Sequence, residues 1–345
     1  MGVTIAIHTR AGGYSDRWIE YCKKQAVSYL EVNGHNSSIM AQLRSVDALM
    51  WNWVLDQPQD LVCARRAIQS AESMGLKVFP NTATCWHYDD KLAQKYLLEA
   101  AGAPLVPTHV FYDLPEAEAW IRETEFPKVF KLSRGAGSLN VKLVRSAAEA
   151  MRLARRAFAD GFKPAAAYWQ DARAKAARHR RQGNVLSAIR RLPRTLSHIR
   201  RFNQAMTREK GYLYLQDFVP GNRNDTRITV IGNRAFGFTR DVRADDFRAS
   251  GSGSIDYDLA AIDLRSVKIA FDVAAKLRTQ SLAFDFVRAT DGEPKIVEIS
   301  YCFLASAVHD CRGHWDANLK WHDGPVWPED AIIEDLLNEL RSGRS

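Results

Sequence analysis

The chain of 345 residues is 46% hydrophobic and 26% charged, enough for two or three domains with substantial cores and unlike a disordered or low-complexity protein. No apolar run approaches the roughly 18 residues of a spanning helix, and the opening VTIAI lacks a preceding basic segment, so it reads as a strand and a cytoplasmic location is expected. Five scattered cysteines argue against a disulfide framework, and the net charge of +8 is concentrated, with twelve Lys or Arg against two acids between Asp171 and Lys210.

From the start, Val3 to Ile7, Asp16 to Ala26 and Ser28 to Val32 alternate as strand, helix and strand. Ala48 to Val54 and Lys77 to Phe79 add strands around a helix near Asp60 to Met74, which predicts a small α/β domain with a parallel sheet. Such sheets meet ligands at the carboxyl ends of their strands, which draws attention to His8, Arg10 and the loop Gly12 to Ser15; a solvated loop is the plainer alternative. Trp51 and Trp53 read as packing residues. Asp89 and Asp90 then open a helix that ends at Gly102, with Leu92, Tyr96, Leu97 and Ala100 as its expected buried face. Lys91 sits in that first turn, where the helix dipole offers a cation nothing, so it is either ligand-facing or solvated.

Phe126 to Val144 contains two strand-like runs around SRGAGSLN. Gly135 and Gly137 would let the backbone approach a ligand and present N–H groups to phosphate oxygens, with Lys131 at the end of the preceding strand. No Gly-Lys-Ser/Thr follows, so this is not a Walker A loop, and a dinucleotide fingerprint lacks its third glycine at Asn140. After a helix over Ala147 to Phe158, Tyr168 to Arg208 is a basic helical insertion with Val185, Ile189, Leu192, Leu196, Ile199 and Met206 at helical spacing. It would suit an anionic glycan, an anionic membrane surface or RNA, or form a solvated lid. Gly232-Asn233 marks a hairpin whose alternation puts Asp225, Arg227 and Thr229 on one face.

Leu282 to Ser300 reads as a second hairpin about Asp291-Gly292. With those two residues as the loop, Thr290 faces Glu293 and Asp285 lies opposite Glu298. Facing carboxylates repel and ask for a cation between them, such as Mg²⁺, or for a shared proton; a register shifted by one residue would leave two ordinary surface acids. His309, Cys311 and His314 match no familiar zinc spacing.

In this order the motifs resemble the ATP-grasp superfamily, and within it the RimK-like carboxylate–amine ligases, over roughly the last three quarters of the chain. The resemblance implies an ATP-grasp fold of mixed α/β and α+β character: an N-terminal parallel α/β domain (1–86), a central subdomain with the flap and the basic insertion (87–211), and a C-terminal antiparallel-sheet subdomain with a metal site (212–345). Lys91 and Lys131 then resemble the phosphate-binding lysines, Ser133 to Asn140, with Gly135, Gly137 and Ser138, the flap, and Gln216, Asp217, Phe218 and Val219 the adenine hinge. Asp225 falls at the nucleotide with Arg227 beside it, Arg240 near the transferred phosphate, and Asp246 to Ser250 in a DFRSN-like loop. Asp285 and Glu298 match ligands of Mg²⁺ (or Mn²⁺), and Ser300 stands where the family usually has Asn. The implied activity is ATP-dependent joining of a carboxylate to an amine through an acylphosphate, with Arg240, Arg227 and Lys131 as catalytic residues and a homo-oligomer left open. A nucleotide-regulated binding or scaffold module and a small-molecule kinase are the alternatives on the same fold.

Overall fold

The computed structural model describes residues 2–55, 57–135, 140–163, 207–242 and 254–342. Gly137 and Ser138 of the flap, residues 168–206 of the basic insertion and the loop Asp246 to Ser250 lie outside the described residues.

The first strands form a parallel sheet in the order β2 (Ser28–Val32), β1 (Thr4–His8), β3 (Ala48–Met50), β4 (Lys77–Phe79). A parallel sheet must be covered on both faces. Ile5, Ile7, Met50 and Phe79 meet Trp18 and Cys22 of the helix Tyr14–Lys24 on one side. Ala6, Leu49 and Val78 meet Ala64, Ile68 and Ala71 of the helix Pro58–Ser73 on the other. The first layer is completed from far along the chain: Ile332, Ile333, Leu336 and Leu337 of the helix Pro328–Ser342 enter the same core. Arg17 grips Asp330 there with two hydrogen bonds of 2.8 and 2.7 Å. Trp51 and Trp53 are buried, as a packing role requires. β3 stops at Met50, short of the expected Val54, because the Trp53 N–H turns back to the Trp51 carbonyl at 2.8 Å.

The central sheet is antiparallel, with β5 (Thr108–Phe111), β8 (Leu213–Asp217), β6 (Lys128–Lys131) and β7 (Val141–Val144) in that spatial order. Helices Leu114–Glu123 and Ala147–Phe158 cover one face. β8, which a boundary at 211 assigns to the last subdomain, therefore belongs to this sheet. The helix Lys91–Ala100 is capped by Asp90, whose carboxylate accepts from Ala93 N–H at 3.0 Å. Its buried face differs from the expected one: Lys91, Gln94 and Leu98 are buried, whereas Tyr96 and Ala100 are exposed. The inward side of this helix borders polar loops, with Gln94 Nε2 donating to the His87 carbonyl and Lys91 Nζ to the Gly135 carbonyl, so hydrophobicity does not mark it.

The third sheet runs β13 (Pro294–Ser300), β12 (Ser281–Arg288), β9 (Asn224–Ile231), β10 (Arg234–Asp241), β14 (Gly313–Trp315), β15 (Trp321–Asp323), with β11 (Ile255–Asp256) beside β10. Ile231 pairs with Arg234, so Gly232-Asn233 is the expected two-residue turn. Ile228, Val230, Leu282, Phe284 and Phe286 pack on the helix Leu264–Leu277. Strand alternation turns Asp225, Arg227, Arg240 and Asp285 to the opposite face. Among the described residues no helix is long and apolar enough to cross a membrane.

The hairpin of β12 and β13 corrects its predicted turn while keeping the consequence. Arg288 pairs with Pro294, Ala289 N–H bonds the Glu293 carbonyl, and Gly292 N–H returns to Ala289 at 2.9 Å, so the loop is Thr290-Asp291-Gly292 with Gly292 at φ +82°. A three-residue loop that ends on a left-handed glycine is a common hairpin connection. The register error is cancelled by a bulge, since the pairing steps from Phe286–Ile296 to Asp285–Glu298 and leaves Val297 as the extra residue. Asp285 thus faces Glu298 as expected, and Val297 and Glu298 both line the cleft. A Cβ on Gly292 would meet nothing within 4 Å, so Gly292→Ala should cost only the left-handed conformation, about 1 kcal/mol in urea denaturation. An unchanged midpoint would mean that the loop relaxes to another turn.

Candidate functional site

Register alone assembles a row of charges. Glu298 on β13 stands opposite Asp285 on β12, which stands opposite Arg227 on β9; one step along, Asp225 on β9 stands opposite Arg240 on β10. Arg227 takes Asp285 in a fork, with Nε–Oδ1 at 2.7 Å and Nη2–Oδ2 at 2.8 Å. Arg240 forks onto Asp225 and also reaches Asp285 Oδ2 at 3.0 Å. The cations that facing acids require are thus partly built in, with Lys91 Nζ 3.2 Å from Glu298 Oε1.

Burial by itself pushes the Asp285 carboxyl up, but Arg227 and Arg240 together outweigh it and hold it well below the usual carboxylate range. Asp225 moves the other way, raised by burial and by the Asp285 charge against the pull of Arg240. The Asp285 side chain is 13% exposed and that of Glu298 35%, so the first is a buried anchor and the second opens to solvent.

Lys131, at the end of β6, is buried with its ammonium 2.6 Å from Gln216 Oε1. Burial lowers its pKa to about 8, with Glu298 opposing and Lys91 assisting. Lys91 is equally buried, yet Glu298 and Asp89 outweigh the desolvation and raise it. Lys131, Asp225, Asp285 and Glu298 border a cleft of about 150 Å³, open to solvent, between the central and third sheets, and Lys91 reaches its edge through Glu298. Val129 and Val141 line it from one sheet, with Val106 just before that sheet's first strand, Val287 and Val297 line it from the other, and Gln216, Asp217, Phe218 and Val219 are also in its lining. An apolar slot with Lys131 in its lining, and with guanidiniums held behind its carboxylates, suits a flat heterocycle with an anionic tail. The Asp217 carboxylate is taken by Lys128 Nζ at 2.7 Å, a partner with no sequence signal.

The flap root is also fixed by residues that sequence reasoning passed over. Ser133 N–H donates to Glu209 Oε2 at 2.8 Å and to the Tyr212 hydroxyl at 2.7 Å, Arg134 N–H to Glu209 Oε1 at 3.1 Å, and Gly135 N–H to Asp89 Oδ1 at 2.7 Å. Asp89 has a left-handed backbone, and burial raises its pKa to about 6 despite Lys91.

The expected metal ligands fit a hard divalent ion by donor type, two carboxylates and a hydroxyl. Three guanidinium contacts on Asp285 leave lone-pair capacity on Oδ1, Lys91 leaves Glu298 Oε2, and the Ser300 hydroxyl donates to the Cys302 carbonyl at 2.8 Å, which spends its proton and not its oxygen lone pairs.

Other histidine clusters serve packing. The Cys311 thiol is buried and donates to the Gly237 and Ala307 carbonyls, and His309 stacks on Trp327 at 3.8 Å, so no zinc site forms with His314. His8, His35 and Asp60 converge in the N-terminal domain, but His8 Nδ1 accepts the Gly34 N–H at 2.8 Å. Its proton then sits on Nε2, which removes it as a metal ligand. At the sheet end, Arg10 Nη2 lies 3.4 Å from Asn52 Oδ1, while Ser15 closes the following turn onto the Arg10 backbone.

No protein-family model matches the sequence, and neither does any curated protein. The fold is the one seen in solved ATP-grasp structures. It superposes on the D-cycloserine synthetase DcsG with a TM-score of 0.55 at 16% identity, over 97% of this chain and 100% of that one. The RimK-domain ATP-grasp protein of Sphaerobacter thermophilus gives 0.53 at 15% identity over 97% and 100%. The D-alanine–D-alanine ligase of Bacillus anthracis, solved with ATP, gives 0.57 at 12% identity over 99% of each chain.

Breaking the central ion cluster should be costly. Asp285→Asn leaves two guanidiniums short of an anion and is expected to lose about 3 kcal/mol in urea denaturation at neutral pH. Because the folded value is lowered, the same stabilisation is lost from the parent protein as pH falls from about 4 toward that value. A variant as stable as the parent would show that Arg227 and Arg240 are satisfied without Asp285.

Proposed function

We propose that the protein is an ATP-dependent ligase that joins a carboxylate to an amine, releasing ADP and phosphate. The observation that carries this reading is a cleft lined by Lys131 and by Asp285 opposite Glu298, with Arg240 held on Asp285 and Lys91 on Glu298. The likeness to an ATP-complexed D-alanine–D-alanine ligase supports it.

In the proposed reaction a substrate carboxylate oxygen attacks the γ-phosphorus of ATP, the bond to the ADP oxygen breaks, and an acylphosphate forms. An amine then attacks the acyl carbon and expels phosphate, which leaves with that carboxylate oxygen; the amine loses a proton to water. Lys131 and Lys91 bind the phosphates, Arg240 offsets the charge that builds on the transferred group, and Arg227 holds Asp285 in place. The apolar slot takes the adenine, and the flap excludes water from the acylphosphate. Magnesium, held by Asp285 and Glu298 with Ser300, would supply further charge neutralisation.

The test is incubation with ATP and panels of amino acids and sugar acids, one carrying ¹⁸O in its carboxylate, with mass spectrometry of products. An amide together with ¹⁸O in the released phosphate is expected. A stable phosphoester would make the protein a kinase, and nucleotide binding without turnover on any panel a binding module. Glu298→Gln should keep the fold, since Glu298 lies outside the guanidinium cluster, yet lower turnover at least a hundredfold, read as ADP release; parent-like turnover would remove the metal assignment. The lowered pKa of Lys131 adds a pH signature. Free Lys131 loses its proton as pH rises through about 8, so ATP affinity should weaken above that value with proton uptake on binding, measured by calorimetry in two buffers. Lys131→Arg should remove the bend.

A further inference from the structure

The basic insertion leaves and rejoins the central subdomain at a closed neck. Phe162 and Glu209 form an isolated antiparallel bridge, with both backbone hydrogen bonds at 2.8 Å. Arg208 Nε donates to the Asp160 carbonyl at 2.7 Å, and Gly211 N–H to the carbonyl of Ala157 in the helix Ala147–Phe158 at 3.0 Å. Gly161 passes so near that a Cβ on it would come within 2.5 Å of the Glu209 carbonyl oxygen, and its φ is +66°. The neck is therefore a fixed point, and Glu209 is its last residue.

The Glu209 side chain does not stay with the insertion. It is buried, and its two carboxylate oxygens hold the consecutive amides of Ser133 and Arg134, with Tyr212 bonded both to the same carboxylate and to Ser133 N–H. From the other side the helix start grips Ser133 and Gly135. Lys91 N–H donates to the Ser133 carbonyl at 3.0 Å, the Ser133 hydroxyl to Asp90 at 2.9 Å, and Lys91 Nζ to the Gly135 carbonyl at 3.0 Å. The flap root thus hangs between Lys91 and the neck. A buried carboxylate that satisfies two backbone donors is among the stronger constraints available to a loop.

Resting on the nucleotide reading above, we propose that Glu209 is a positioning residue for phosphate binding: it fixes Ser133 and Arg134, so that the place of the neck sets how these backbone groups and Lys91 meet the nucleotide tail. Glu209 touches neither nucleotide nor substrate; it acts through Ser133 and Arg134. One consequence is selective. Adenine contacts made by the slot and the hinge are independent of the flap root, so a disturbed root should be felt in proportion to the phosphates.

The experiment is calorimetric binding of AMP and of the non-hydrolysable ATP analogue AMP-PNP, with Mg²⁺, to the full chain and to Glu209→Gln. The amide keeps the volume and one acceptor oxygen but turns an N–H toward the second flap amide. AMP-PNP affinity should fall about tenfold while AMP affinity changes less than about twofold. Gly161→Ala, which displaces the neck and spares the carboxylate, should give the same asymmetry in smaller measure. Circular dichroism and thermal melting confirm that each variant is folded. Equal losses for both nucleotides, or no loss in either folded variant, overturn the proposal while leaving the nucleotide site standing. A parent protein that binds neither nucleotide overturns both readings.

Discussion

Everything in the cleft depends on one buried carboxylate held between two guanidiniums. Asp285 sits on an inner strand of the third sheet, with Arg227 facing it from β9 and Arg240 reaching it from β10. Each of the three charges would be intolerable there alone, because burial penalises an unpaired ion by several kcal/mol. Together they satisfy one another with forked geometry and keep the carboxylate ionised. The cluster ties β9, β10 and β12 side by side, and so places Asp225 and Glu298 relative to the lysines of the central subdomain.

The second constraint is that the third sheet must be tied to the central subdomain without closing the cleft. They are joined where Val106 N–H bonds the Ile296 carbonyl and Ile296 N–H bonds the Pro104 carbonyl, immediately before the bulge at Val297. The strand is thus stitched to its neighbour on one side of the bulge and presents two consecutive side chains to the cleft on the other. A straight strand would have sent either Val297 or Glu298 away from it.

How much of this was legible in the chain follows from what kinds of signal a sequence carries. Alternation and turn residues are local, so the parallel sheet, the Gly232-Asn233 hairpin and the pairing of Asp285 with Glu298 could be read. The pairing came out correctly although the turn was one residue longer than predicted, since a bulge has no residue signature and Val297 looks like any strand valine. The helix Lys91–Ala100 was misread on its buried face because periodicity assumes that the inward side is apolar; here it borders the flap root and buries Lys91 and Gln94. Glu209 was invisible for another reason. Its partner Ser133 is 76 residues away, and a carboxylate bonded to backbone N–H groups places no demand on the identity of the residues that carry them.

The helix Pro328–Ser342 carries a consequence for how the molecule comes into being. It fills one face of a sheet whose first strand begins at Thr4, and Trp18 donates its indole N–H to the Glu329 carbonyl at 3.0 Å. During synthesis β1 to β4 emerge long before that helix exists, so Ile5, Ile7 and Phe79 have only half their cover throughout translation of the rest. Domain-by-domain maturation from the N-terminus, the common order for large chains, is closed to this one. Its first domain is the last to be finished, and the nascent chain carries an uncovered apolar face that a chaperone would have reason to shield.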